Sequence, residues 1–187
     1  IQEGTCLGEP FYTHSSKPLS FIVQLMDKYS NNFIADSLVK VIDHEVNGHS
    51  GTANGGLAYI RDVMKTMGIE GSAKGRKMVS GSGLSDGNAF SASDFIKLLK
   101  YVHKEKLFLP EIFTSLPIAG IDGTLKKKYV RSDVADRLRG KTGTLNGVQS
   151  LVGIYPNHDG EWIALAIIVN SGHSIPEAEL AKFLSAL

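Results

Sequence analysis

The residues best suited to chemistry cluster in Arg139-Gly140-Lys141-Thr142-Gly143-Thr144-Leu145-Asn146. This stretch sets one ammonium and two hydroxyls beside two positions of bare backbone, a combination that suits an anionic substrate. Lys141-Thr142-Gly143 alone reads equally well as the polar end of a strand. A second polar triplet, Ser30-Asn31-Asn32, interrupts an apolar region. It too has a plain structural reading, because Ser and Asn oxygens accept the free N–H groups of a first helical turn and so cap helices.

The elements that must position these groups follow from periodicity. Residues 148–155 and 162–169 are β-branched, apolar runs around the turn-like Pro156-Asn157-His158-Asp159-Gly160, so the Lys-Thr-Gly stretch should be a strand leading into a hairpin. Leu19, Ile22, Val23, Leu25, Met26 and Tyr29 recur at helical spacing, as do Phe33, Ile34, Leu38, Val41 and Ile42 after the triplet. Residues 44–56 are polar and glycine-rich, which predicts a loop; His44 and His49 there are read as surface residues, without the second cluster a metal site needs. A third helix carries Leu57, Ile60, Val63, Met64 and Met67 and should close at Gly68 and Gly71.

Residues 77–88 pass from a short strand into a glycine-rich turn that lacks the Gly-Lys-Ser/Thr ending of a phosphate-binding loop. Ser91-Ala92-Ser93-Asp94 predicts a capping box before a helix with Phe95, Ile96, Leu98, Leu99 and Val102. A short helix over 110–117, a polar connection holding Lys126 to Lys128 and a helical turn over 132–138 should follow. Ser174-Ile175-Pro176-Glu177 predicts the start of a last helix, with Leu180, Phe183, Leu184 and Leu187 on one face. Helices first, an antiparallel sheet late and a terminal helix covering it make an α+β fold.

At 187 residues the chain suffices for one unit. Lys+Arg of 20 against Asp+Glu of 19 gives a formal net charge of +1, which argues for no nucleic-acid or anionic-membrane partner, and Lys126-Lys127-Lys128 reads as a solvated loop. The single cysteine, Cys6, makes no internal disulfide and leaves the compartment unread. Residues 1–18 are rich in Gly, Pro and polar groups, strand and loop rather than helix. Ile1 follows no initiator Met or leader pattern, so the chain is expected to be processed, trimmed or cut from something longer.

Taken together and in this order, Ser30-Asn31-Asn32 and Lys141-Thr142-Gly143 resemble the Ser-x-Asn and Lys-Thr-Gly motifs of the penicillin-binding enzymes. Their context narrows the resemblance. Tyr29 to Leu38, and Ser80-Gly81-Ser82-Gly83-Leu84-Ser85 followed by Ser91 to Asp94, are similar to the class C low-molecular-mass D-Ala-D-Ala carboxypeptidases of the penicillin-binding protein 4 type, peptidase family S13. The likeness runs from about Leu19 to the C-terminus. It implies a β-lactamase/transpeptidase-like fold, of which residues 1–187 would be the C-terminal part of a single catalytic domain.

The family's nucleophile lies in a Ser-x-x-Lys motif well upstream of Ser-x-Asn, and this sequence has none there. Ser37-Leu38-Val39-Lys40 has the spacing but falls after Ser-x-Asn, inside the second predicted helix, and is read as a chance match. The resemblance implies a serine-type D-Ala-D-Ala carboxypeptidase, or an endopeptidase, acting through an acyl-enzyme on peptidoglycan stem peptides outside the cytoplasm, in the periplasm. β-Lactams would be its inhibitors and the upstream part of the same enzyme its partner; no metal or organic cofactor is implied.

By the same resemblance Ser30 would carry protons to the leaving amine, Asn32 would hold the substrate peptide group, and Lys141 would hold Ser30 and attract the terminal carboxylate. Thr142 and Thr144 would bond that carboxylate, Gly143 would let substrate approach, and the Thr144 N–H would supply one oxyanion donor. The rival expectations are a β-lactamase or esterase on a related fold, and a non-catalytic peptidoglycan-binding module.

Overall fold

The computed structural model describes residues 8–9, 11–69 and 77–187, so residues 1–7 and 10 of the expected leading strand-and-loop segment, Cys6 included, and Gly71 lie outside the described residues. Helices α1 (Leu19–Tyr29), α2 (Asn32–Asn47) and α3 (Ala53–Thr66) come first, then α4 (Ala92–Lys104) and α5 (Leu109–Ser115). Strands β1 (Arg139–Leu145), β2 (Val148–Pro156) and β3 (Trp162–Val169) form one antiparallel sheet in that order, and α6 (Glu177–Ser185) closes the chain. This is the expected α+β arrangement, and none of the described helices is long and apolar enough to cross a membrane.

The sheet has two different faces. Leu151, Tyr155 and Leu165 pack with Ala181 and Leu184 of α6 in the main core, while Ile154 and Ala164 line a cavity together with Ile112, Phe113 and Leu116 of the α5 region. Alternation along β1 then places Arg139, Lys141 and Gly143 towards the helices and Gly140, Thr142 and Thr144 towards the α6 side. Arg139 agrees, donating to the Phe113 carbonyl of α5 at 3.3 Å.

The chain departs from its sequence pattern in four places. First, the polar connection after α5 is not peripheral: Ala119, Leu125, Val134 and Leu138 from it are fully buried. Its turns are too irregular for a periodic pattern, although 132–138 forms successive turns where a helical turn is expected. Lys126 and Lys127 are exposed as expected, whereas Lys128 pairs with Glu177 in the first turn of α6 at 3.0 Å. Second, the loop expected over 44–56 shrinks to 48–52. The glycines that suggested it instead let α2 and α3 touch: a Cβ on Gly55 would overlap the Asp43 carboxylate, and one on Gly56 the Val39 carbonyl.

Asp43 is itself buried and accepts from the Thr52 N–H at 2.6 Å, from Asn47 and from the Thr52 hydroxyl, bonds that hold its carboxyl below the usual range. Third, α1 turns its last residues the other way: Tyr29 is exposed and Lys28 is buried. Leu19, Phe33 and Val41 of the expected stripes are exposed too. Fourth, Pro176 rather than Ser174 occupies the N-cap of α6, and Phe183 points outward. The capping box of α4 is present as the sequence suggests, with Asp94 bonding the Ser91 N–H at 2.9 Å.

Candidate active site

Ser30 sits between α1 and α2 in a left-handed conformation, φ 54°. That single residue ends α1 as its C-cap, in a conformation uncommon outside glycine that persists where surrounding contacts over-determine it. Its neighbour Asn31 caps α2, its side chain accepting from the Ile34 N–H at 3.1 Å. The structural and chemical readings of the triplet therefore fall on different residues. Asn31 does the capping, which leaves the side chains of Ser30 and Asn32 exposed on the surface.

Across from this turn, the Lys141 ammonium donates to the Ser30 hydroxyl at 2.7 Å and to the Thr142 carbonyl at 2.7 Å. Two motifs separated by 111 residues thus meet in one contact. An ammonium has donors only, so Ser30 Oγ must accept, and its own hydrogen is left to donate elsewhere. Burial out of water pushes the Lys141 pKa below the ordinary lysine value, an effect the negative charge of Asp27 partly opposes. Asp27 is held by the Ser115 hydroxyl of α5 at 2.7 Å.

The outer edge of β1 is paired only at its start. The Gly140 N–H donates to the Pro117 carbonyl and the Ala119 N–H to the Leu138 carbonyl, both at 2.9 Å. Backbone direction alternates along a strand, so the N–H and C=O of Thr142 and Thr144 also point to this edge, where no described strand pairs with them. An extended peptide could add itself here. Thr142 and Thr144 present their hydroxyls two residues apart on the same face; Thr144 is exposed. At Gly143 a Cβ would lie 2.5 Å from Ser150 Oγ, so the room above this glycine is already shared with a hydroxyl from β2.

Of the six site residues expected from sequence, the structure joins Ser30 to Lys141 directly and carries Thr142, Gly143 and Thr144 on the same strand. Asn32 opens α2 two residues from Ser30, its side chain engaged in none of the hydrogen bonds among the described residues. Sequence reasoning missed Thr124, whose hydroxyl lies 2.8 Å from that of Thr142, and the Lys28–Asp122 pair beneath it. A turn threonine and a lysine beside an apolar stripe give no signal until the fold juxtaposes them. Ser37 and Lys40 both lie on α2, with Lys40 exposed, and neither bonds Ser30 or Lys141.

If Lys141 recognises an anion through its charge, recognition falls as pH rises through its pKa in the folded protein. The expected alkaline midpoint, in the pH profile of binding or by nitrogen NMR of Lys141 Nζ, lies below that of an ordinary solvated lysine. A midpoint at or above that value would remove burial as the governing influence.

A profile of the D-Ala-D-Ala carboxypeptidase 3 (S13) family matches residues 2–184. The chain is 31% identical over 176 residues to the D-alanyl-D-alanine carboxypeptidase DacB of Haemophilus influenzae, covering 92% of this chain and 36% of that protein. It is 35% identical over 174 residues to the D-alanyl-D-alanine carboxypeptidase of Actinomadura sp. strain R39, covering 90% and 31%. The chain thus spans about a third of the length of these relatives. Its fold superposes on the crystal structure of penicillin binding protein 4 (dacB) from Haemophilus influenzae in complex with a β-lactam. The TM-score is 0.79 at 28% identity, over 92% of this chain and 41% of that one.

Proposed function

The chain belongs to the D-Ala-D-Ala carboxypeptidase 3 (S13) family, and from that premise we propose that it carries the Ser-x-Asn and Lys-Thr-Gly walls of a serine-type D-Ala-D-Ala carboxypeptidase. The substrate is a peptidoglycan stem peptide, met outside the cytoplasm, in the periplasm where there is one. The observation that carries the reading is the 2.7 Å contact of Lys141 Nζ with Ser30 Oγ between α1 and β1. The nucleophile belongs to a part of the enzyme outside these 187 residues, because the only Ser-x-x-Lys here, Ser37 to Lys40, sits on α2 with its lysine in solvent.

In this mechanism the peptide lies along the open edge of β1, its terminal carboxylate facing Lys141 and the hydroxyls of Thr142 and Thr144, its peptide amide held by Asn32. The serine oxygen attacks the penultimate D-Ala carbonyl as the lysine of its own Ser-x-x-Lys motif takes its proton, and the Thr144 N–H stabilises the oxyanion. When the C–N bond breaks, Ser30 gives its hydrogen, left free by the Lys141 contact, to the leaving amine and takes in exchange the proton that the nucleophile gave to its own lysine. Water then hydrolyses the acyl-enzyme. β-Lactams enter the same edge and stop at the acyl stage.

The test is the full-length protein with penicillin and with a D-Ala-D-Ala-ended peptide. One stable acyl group per molecule by intact mass, mapped to a serine other than Ser37, together with D-Ala release, is the expected result. An adduct on Ser37 would overturn the placement of the nucleophile. Sustained turnover of a chromogenic cephalosporin would make the protein a β-lactamase, and absence of both adduct and release a binding module.

A further inference from the structure

A line of contacts runs from α1 to the Lys-Thr-Gly strand through residues outside both motifs. Lys28, two residues before Ser30, turns inward and donates to both Asp122 carboxylate oxygens at 2.9 and 2.7 Å and to the Leu116 carbonyl at 2.6 Å. Asp122 also accepts from the Ile118 N–H at 2.8 Å, and Ile118 bridges to Arg139 at the start of β1. Next comes Gly123 at φ 55°, where a Cβ would overlap the Lys28 carbonyl, so this turn is pressed against the end of α1. Thr124 follows in the 3₁₀ turn Gly123–Leu125, with its hydroxyl 2.8 Å from that of Thr142.

From this arrangement we infer that Thr124 is a positioning residue for the substrate's terminal carboxylate, acting through the Thr142 hydroxyl, with the Lys28–Asp122 pair fixing where Thr124 stands. The inference rests on the reading of β1 as the carboxylate-binding strand. Its chemistry is the count of hydrogens. Each hydroxyl has one hydrogen and can accept as well as donate. In the structure the Thr142 hydroxyl donates to that of Thr124, a direction that reverses by rotation of the two hydroxyl hydrogens when Thr142 has an anion to serve. A bound carboxylate has no hydrogen to offer, so Thr142 must donate to it, and Thr124 then donates to Thr142. The two hydroxyls form a short polarised relay that strengthens the outer bond and holds the Thr142 rotamer. Thr144, exposed and with no such support, is the weaker of the two contacts.

The experiment compares acylation of the full-length protein by benzylpenicillin and by its methyl ester, which lacks the carboxylate charge. Thr124→Val keeps the shape and removes the hydroxyl. It is expected to slow acylation by the free acid about tenfold, the upper worth of one neutral hydrogen bond, while the ester changes by less than about twofold. Thr124→Ser restores the acid rate, and Thr124→Ala repeats the loss should the valine variant not fold. An equal slowing of acid and ester would make Thr124 merely structural and overturn the inference, as would an unchanged acid rate. A wild-type protein inert to penicillin and to the D-Ala-D-Ala peptide would fail at the earlier step, visible before any variant is compared, and would take this inference with it.

Discussion

Lys141→Ala in the full-length protein is expected to lower the rate of acylation by penicillin about 10²- to 10³-fold and leave the melting transition nearly where it was. The activity loss is large because one ammonium serves two ends of the reaction. On the proposed mechanism it donates to Ser30 Oγ, which leaves the Ser30 hydrogen for the departing nitrogen, and it shares a strand with the Thr142 and Thr144 hydroxyls proposed to meet the carboxylate. Alanine removes both at once. The stability loss is small because burial already penalises this charge, as its lowered pKa indicates, so deleting it relieves a desolvation cost while giving up two hydrogen bonds. Stopped-flow acylation with a thermal melt on the same sample checks both halves. A folded variant that acylates at the wild-type rate would remove Lys141 from the mechanism.

What the sequence made legible and what it hid divide along physical lines. The hairpin was legible because β2 and β3 alternate or run apolar without interruption, and its turn carries Pro, Asn, Asp and Gly. The α4 capping box was legible because capping is local, all its partners lying within three residues. The 44–56 region misled because glycine serves two ends: loops need its backbone freedom, and closely packed helices need its missing side chain, as Gly55 and Gly56 do against α2. Composition does not tell these apart.

The same limit governs the site. Ser30 and Lys141 could be named because each stands in a short motif, although their contact spans 111 residues. Thr124 stands in no such motif, and Lys28 stands outside the apolar stripe of α1, where pattern-reading assigns it to solvent. Only the fold shows that the end of α1 rotates Tyr29 out and Lys28 in, towards a carboxylate 94 residues away.

Asp122→Ala is expected to destabilise the fold by about 3 kcal/mol, and Lys28→Met by only about 1 kcal/mol, although the two substitutions break the same ion pair. The asymmetry follows from where each partner is left. The Lys28 side chain retains 10% of its exposure, so without Asp122 its ammonium stays inside with the Leu116 carbonyl as its one remaining partner, an incompletely compensated buried charge. Asp122 retains 37%, so without Lys28 its carboxylate keeps water and the Ile118 N–H. Methionine also refills the space of the lysine stem. Urea unfolding of both variants and of the Lys28→Met/Asp122→Ala double variant decides it. The double variant should be more stable than Asp122→Ala alone, because removing the stranded ammonium cancels most of the cost of losing its partner. Equal losses for the single variants, or a double variant less stable than either, would mean that the pair contributes through packing of the 118–124 turn and that its charges matter little to how α1 is held against β1.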